Sequence, residues 1–314
     1  MEARDPEISV CLTTYNRARF LNQTLDSLLA QTFVDFELII ADDCSTDETE
    51  SVCIKYVETD RRVRYFRNET NLRMPANLNF AISQAKGKYI ANLHDGDIFR
   101  ADLLEKWKNA LERYPSAGFV FNYYEQLDLD GNSVGKIHRL FETELISGRD
   151  LVKTIYERLS SPVWGTVMAR RAVYEEIGGF DPAYGPIADV DMWIRIAFKY
   201  DVACILEPLI GLRAREPECP YNKMRWQFAI SQEHMYCRYA EKLATVTGLK
   251  KQKLISNYFR RWDYHIMRLL AADVYHRRWQ ELREGVVNFL PESASPRLNK
   301  VGKLLTRVLS IPQK

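Results

Sequence analysis

Between Ile8 and about Tyr124 the chain alternates short apolar runs with segments whose apolar residues recur at helical spacing. "ISVCLTTY" is apolar almost throughout and predicts a strand buried on both faces. In "RFLNQTLDSLLAQTF" Phe20, Leu21, Leu25, Leu28 and Leu29 share one helical face. "FELIIADD" predicts a second strand. "STDETESVCIKYVE" then predicts a helix with Ser45 or Thr46 as N-cap and acids in its first turn, where the helix dipole favours them. "RVRYFRN" follows as a strand and "MPANLNFAISQAK" as a helix, with Pro75 near the first turn, where a missing amide does little harm. "KYIANL", "RADLLEKWKNALERY" and "AGFVFNYY" continue as strand, helix and strand.

Strands and helices in alternation predict an α/β fold: a Rossmann-like, mainly parallel sheet flanked by helices. After Tyr124 the pattern changes. "YEQLDLDGNSVGKI" predicts a hairpin turning at Asp130 and Gly131. "ISGRDLVKTIYERL" and "ADVDMWIRIAFKY" are helical, "SPVWGTVMARRAVYEEIGGF" mixes a strand with a short helix, and "DVACILEPLIGLR" returns to strand. Beyond Arg215 long helical patterns rich in Arg, Tyr and Trp run to about Leu290, and "LPESASP" breaks the chain before "RLNKVGKLLTRVLS". The expected organisation is a domain over 1–215, with halves 1–124 and 125–215, and a helical C-terminal extension over 216–314.

Composition narrows the class. Of 314 residues, 46% are hydrophobic and 27% charged, and the net charge is only +2, which argues against a dedicated nucleic-acid binder. Cys11, Cys44, Cys53, Cys204, Cys219 and Cys237 show neither CxxC nor zinc-ligand spacing, and the N-terminus lacks a secretory apolar region. No apolar run approaches the roughly 20 residues that cross a bilayer. The expected setting is reduced and cytoplasmic, or peripheral to the inner face of the cell membrane.

Ligands of such sheets bind beyond the carboxyl ends of the strands. Those ends carry Thr13, Thr14 and Tyr15, then Asp42 and Asp43, then His94, Asp95 and Asp97. Two carboxylates side by side at a strand end call for a cation or a proton, and Mg²⁺ or Mn²⁺ held by one or two carboxylates characteristically also binds substrate phosphates. Asp95-Gly96-Asp97 supplies that pair, yet Asp-Gly is equally a common turn. Asp42 or Asp43 can accept hydrogen bonds from a base or ribose, or cap the next helix. Thr14 and Asn16 fit a ligand contact or a cap. Asp189 and Asp191, two apart, do not share a helical face, so one can serve as general base while the other supports the helix.

These pieces, in this order, resemble the family 2 glycosyltransferases of the GT-A fold. The resemblance rests on "TTYNRARFLNQTLDSLLAQTFVDFELIIADDCSTDET", "GKYIANLHDGDIF" and "IGGFDPAYGPIADVDMWIRIA", and covers roughly residues 6–212. It implies an inverting, hexosyltransferase-type enzyme, a nucleotide-sugar donor that is usually UDP-linked, and a saccharide or lipid-linked acceptor in surface polysaccharide or glycoconjugate synthesis. Thr13 and Asp43 match base-contacting positions, with Tyr15, Asn16 and Arg17 close by. Asp95 and Asp97 match the ribose- and metal-binding turn, and Asp189 matches the catalytic base. Two positions depart from the family pattern. The usual D-x-D-D turn reads His94-Asp95-Gly96-Asp97 here, so either Asp97 takes the metal or the metal is held more weakly. The usual Glu-Asp reads Ala188-Asp189.

Trp164, Trp193 and Asp191 are candidate acceptor contacts, with core packing the competing role for Trp193. In the last segment Arg297, Lys300, Lys303, Arg307 and Lys314 oppose Leu298, Val301, Leu304, Leu305 and Val308. A helix over 296–314 suits peripheral membrane contact, or closure onto the protein or a partner subunit such as a second copy in a homodimer. The GxGxxG fingerprint and the P-loop are both absent, and no Gly-rich, Arg/Lys-bearing first loop marks a nucleotidylyltransferase. A non-catalytic nucleotide-sugar-binding module of the same fold is the alternative reading.

Overall fold

The computed structural model describes residues 4–139, 141–216, 224–248, 250–276, 278–290 and 293–308. The chain divides into two compact units. The first comprises Met1–Val152, Ser161–Pro182 and Ala188–Glu216; the second comprises Lys153–Ser160, Ala183–Ile187 and Pro217–Lys314.

The first unit begins β1 (Ile8–Thr14), α1 (Ala18–Leu29), β2 (Phe36–Asp42), α2 (Thr49–Thr59), β3 (Val63–Arg67), α3 (Met74–Ser83) and β4 (Tyr89–His94). It continues with β5 (Ile98–Phe99), α4 (Leu103–Arg113), β6 (Ala117–Leu127), β7 (Ser133–His138) and β8 (Leu145–Ile146). After α5 (Gly148–Arg158) come β9 (Val167–Arg170), α6 (Arg171–Ile177), α7 (Ala188–Ala197) and β10 (Asp201–Arg213). The strands form one sheet in the order β3-β2-β1-β4-β9-β6-β10-β5, with β7 on β6 and β8 on β10.

Pairing is parallel from β3 to β4, as the apolar strands imply, and again between β6 and β10. Between β4 and β6 the short β9 inserts antiparallel to both, so the mainly parallel sheet is mixed at that point. The buried sides of α1 (Leu21, Leu25, Leu28) and α4 (Leu103, Leu104, Trp107, Leu111) join one core with the inner residues of β1, β2 and β4. The hairpin of β6 and β7 turns at Gly131, whose φ of 92° is the left-handed conformation that glycine tolerates.

One boundary differs from expectation. α2 starts at Thr49, not after Ser45, because the Asp42 carboxylate captures Ser45 first: Ser45 donates its amide (2.9 Å) and its hydroxyl (2.6 Å) to Asp42 Oδ1. The loop that results carries Cys44 at φ 65°. The helix start is served instead by Asp47, which accepts the Thr49 amide at 3.0 Å.

The second unit holds α8 (Arg225–Thr247), α9 (Lys251–Tyr275), α10 (Trp279–Glu284) and α11 (Pro296–Val308). Its interior is built on buried Trp226, Tyr236, Tyr258 and Trp262. Buried Glu233 accepts hydrogen bonds from Trp262 Nε1 (2.8 Å), Ser293 Oγ (2.8 Å) and the Ala294 amide (2.6 Å), so its charge is fully solvated by the chain. The apolar side of α11 is divided: Leu298 is buried and Leu304 exposed. The rest of the expected membrane segment, residues 309–314, lies outside the described residues, as does Cys219. Cys11, Cys44, Cys53, Cys204 and Cys237 are free thiols. Among the described residues no helix is long and apolar enough to cross a membrane.

Candidate active site

Strand register brings the chemistry-bearing residues together. Thr14 pairs with Asp42 across β1 and β2, and Thr13 pairs with His94 across β1 and β4, so three of the motif segments end side by side. Gly165 links the fourth segment. A Cβ added there would lie 2.4 Å from His94 Nε2 and 3.7 Å from Asp189 Oδ2, so both side chains border the same glycine.

The loop after β1 is laced to the loop after β2. The Asn16 amide donates to Ser45 Oγ (2.9 Å), Asn16 Oδ1 accepts the Thr46 amide (2.7 Å), and the Arg17 amide donates to Thr49 Oγ1 (3.1 Å). Asn16 stands at φ 52°, which its short side chain makes tolerable. Tyr15 is left 45% exposed, free to face a ligand. Asp42 is enclosed: beyond Ser45, Tyr65 donates to its Oδ2 at 2.7 Å. Asp43 is buried too, accepting the Leu72 amide (2.7 Å), the Arg73 amide (2.8 Å) and Asn68 Nδ2 (3.1 Å), and so fixes the 68–73 loop over the strand ends.

The Asp-Gly-Asp turn is held from inside. Gly96 has φ 96°, which a side chain would strain. Thr24 binds both flanks of the turn, accepting the Gly96 amide (3.0 Å) and donating to the Asp97 carbonyl (2.8 Å). Arg213 holds the other side: its Nε donates to the Gly96 carbonyl at 2.7 Å and its amide donates to Asp97 Oδ1 at 3.2 Å. Asp95 receives the Tyr15 amide at 3.4 Å and faces Arg17 Nε at 3.6 Å.

One atom stands out electrostatically. Asp97 Oδ2 is buried with no hydrogen-bond partner. Burial first, and the neighbouring Asp95 charge in addition, push the Asp97 carboxyl up to about 7, against the opposing pull of the Arg213 amide. Asp95 is also raised by burial, with Arg17 opposing. An orphaned carboxylate oxygen beside a second carboxylate fits a cation. Among the described residues no group of three or more His, Cys, Asp and Glu side chains could hold a metal. With two carboxylates only, the unpartnered Asp97 oxygen beside Asp95 fits an ion that completes its shell with substrate phosphate and water, the habit of Mg²⁺ and Mn²⁺.

Asp189 opens α7 and is partly buried; burial pushes its carboxyl up to about 6, while the Val190 amide, which donates to Oδ1 at 2.8 Å, and the charge of Arg215 pull it down. A carboxylate in that range can take a proton near neutral pH. Burial, followed by the positive charges of Arg215 and Arg17, pushes His94 down to about 4, so its ring is neutral there.

The acceptor candidates separate. Trp164 is 40% exposed, packed edge-on against Tyr124 at 5.3 Å. Trp193 lies in the interior, 5.0 Å from the Phe119 ring and 5.9 Å from that of Phe180. Asp191 is buried as well: Arg195 Nε donates to it at 2.8 Å and uses its other nitrogens on the Ile177 (3.0 Å) and Gly179 (2.7 Å) carbonyls. Asp191 and Arg195 thus fasten the Gly178-Gly179 loop to α7.

Arg213 and Arg215 were absent from the expected set. A basic pair closing an apolar strand, "LIGLRAR", was the available signal, and only the fold puts it against the acidic turn.

Comparison with known proteins gives the family and the fold. A sequence model of the family described as Glycosyl transferase family 2 matches residues 9–178. An uncharacterized glycosyltransferase of Methanocaldococcus jannaschii, MJ1057, is 27% identical over 275 residues, covering 86% of this chain and 89% of its own. The chain spans 31%, 65% and 66% of the length of three other curated relatives. Among solved structures, S. aureus TarS 1-349 in complex with UDP-GlcNAc superposes with a TM-score of 0.66 at 18% identity, covering 97% of this chain and 87% of that one. The Pyrobaculum calidifontis mannosyltransferase PcManGT in complex with GDP-Man and Mn²⁺ gives 0.55 at 15% identity, covering 98% and 89%. At these identities the likeness is one of fold.

Proposed function

This chain belongs to glycosyl transferase family 2, and from that membership we propose that it moves a hexose from a UDP-sugar to an acceptor hydroxyl with inversion at the anomeric carbon. The observation that carries the reading is the unpartnered, buried Asp97 oxygen beside Asp95, at the strand ends where such sheets bind ligands. A UDP-linked donor is favoured by the family habit, and the structural neighbour TarS is in complex with UDP-GlcNAc.

In this reading Tyr15, Asn16 and Arg17 border the nucleotide, and Asp43 shapes the loop around it. Asp95 and Asp97 would hold Mn²⁺ or Mg²⁺, which when bound would supply positive charge to offset that of the diphosphate. Asp189 accepts the proton of the acceptor hydroxyl as that oxygen bonds to the anomeric carbon from the face opposite the leaving group. The bond from that carbon to the diphosphate oxygen breaks, and the nucleoside diphosphate leaves with the electron pair. Arg215 keeps Asp189 ionised to lower pH, and neutral His94 fills the space beside it without adding charge. Trp164 offers an aromatic face to an acceptor sugar.

A thermal-shift panel of UDP-, GDP- and dTDP-sugars, with and without Mn²⁺, tests the donor: the reading expects Mn²⁺-dependent stabilisation by a UDP-sugar. Equal shifts with every nucleotide, or none, would remove it.

A further inference from the structure

The second unit carries a hollow that donor chemistry does not use. Arg158 at the end of α5 and Arg260, Arg261, Tyr264, His265 and Arg268 of α9 line an open concavity of about 400 Å³. Positions 260, 264 and 268 repeat at one helical turn, as do 261 and 265, so α9 presents them on a continuous strip.

Among the described residues no acid pairs with that strip. α9 contains two acids, Asp263 and Asp273, and both are buried. Asp263 accepts Ser295 Oγ at 2.6 Å; Asp273 accepts Trp226 Nε1 at 3.2 Å and Arg278 Nε at 3.0 Å. The nearby Glu157 carboxylate faces Lys153 at 3.9 Å, and its carbonyl, not its carboxylate, accepts from Arg261. Among the described residues none of the four arginines is paired with an acid.

Four guanidiniums held around one hollow repel each other, a cost that an anion relieves. Their planar forks match phosphoryl oxygens two at a time. Ring contacts line the hollow: Arg268 lies over the Tyr264 ring at 5.9 Å, and His265 stacks on buried Trp262 at 5.4 Å.

We propose that this hollow binds phosphoryl anions, as a diphosphate or phosphodiester group carried by the acceptor. The assignment to the acceptor rests on the glycosyl-transfer reading above; the anion site does not.

Calorimetry of the full chain with tripolyphosphate, without divalent cation, tests the site. Arg260→Gln/Arg268→Gln is expected to weaken binding at least about tenfold and leave UDP affinity unchanged. Lys253→Gln/Lys303→Gln removes the same charge from exposed positions outside the hollow and is expected to stay within about twofold of wild type. Equal weakening in both double variants, or none in the arginine pair, overturns the proposal. Co-sedimentation with phosphatidylcholine vesicles, with and without phosphatidylglycerol, identifies the source. Sedimentation that needs phosphatidylglycerol and the arginines supports the site with a lipid headgroup as its ligand. Tripolyphosphate binding without sedimentation supports it with a soluble phosphorylated acceptor. Loss of sugar transfer with tripolyphosphate binding intact counts against the enzyme reading alone.

Discussion

Replacing Asp97 by Asn should make the protein more stable while ending its activity. The Asp97 carboxyl is carried from 3.8 to about 7, chiefly by burial, so the folded chain holds this proton more tightly than the unfolded chain. Its favourable contribution is complete below pH 3.8 and disappears as pH rises through 7. One pKa unit is worth 1.36 kcal/mol, so the ionised group costs about 4 kcal/mol of folding free energy at pH 8. Asn removes that charge, can still accept the Arg213 amide, and offers an NH₂ where Oδ2 has no partner. Urea unfolding in EDTA should show Asp97→Asn gaining a few kcal/mol at pH 8, with the gain shrinking toward zero by pH 4. Added UDP and Mn²⁺ should stabilise the wild type alone. A variant less stable than wild type at pH 8, or a difference that does not change with pH, would refute the reasoning.

Asp189→Asn should lower sugar transfer by about 10²–10⁴ with UDP affinity unchanged by calorimetry, because the general base is lost and the nucleotide contacts are not. In the wild type, kcat/KM should fall as pH drops through about 6, where Asp189 takes up its proton; an acid limb at the same pH in a residual Asp189→Asn activity would contradict its role. Asp191→Ala should cost about 3–5 kcal/mol in urea unfolding, since it leaves Arg195 partly buried without its carboxylate. Gly165→Ala should cost about 1–3 kcal/mol by driving a methyl into His94, and His94→Ala in the same chain should recover most of it; strictly additive losses would show that the two do not touch.

Hydrophobic period carried much of this fold into plain view. The apolar runs of β1, β2 and β4 gave the parallel half, and the Asp130-Gly131 pair gave the β6–β7 turn, because those signals are local. The position of β9 was not legible: "TVMAR" looks the same whichever strands it pairs with, and only non-local contacts insert it between β4 and β6. The same limit hid Arg213, whose grip on the acidic turn spans 117 residues of sequence. The late start of α2 was hidden for a different reason: the side chain of Asp42 competes for Ser45, which propensity alone does not register. For Trp193 the sequence left acceptor contact and core packing both open, because helical period does not say how completely a helix is enclosed; most of α7, Asp191 and Trp193 included, is buried.

The seat of the donor is tested most directly by a crystal structure with UDP and Mn²⁺, the metal located by its anomalous scattering. The expected result is manganese on Asp95 and Asp97 touching the diphosphate, with the nucleoside against Tyr15 and Arg17. Manganese found elsewhere, or UDP bound while Asp97 Oδ2 stays enclosed and bare, would contradict it.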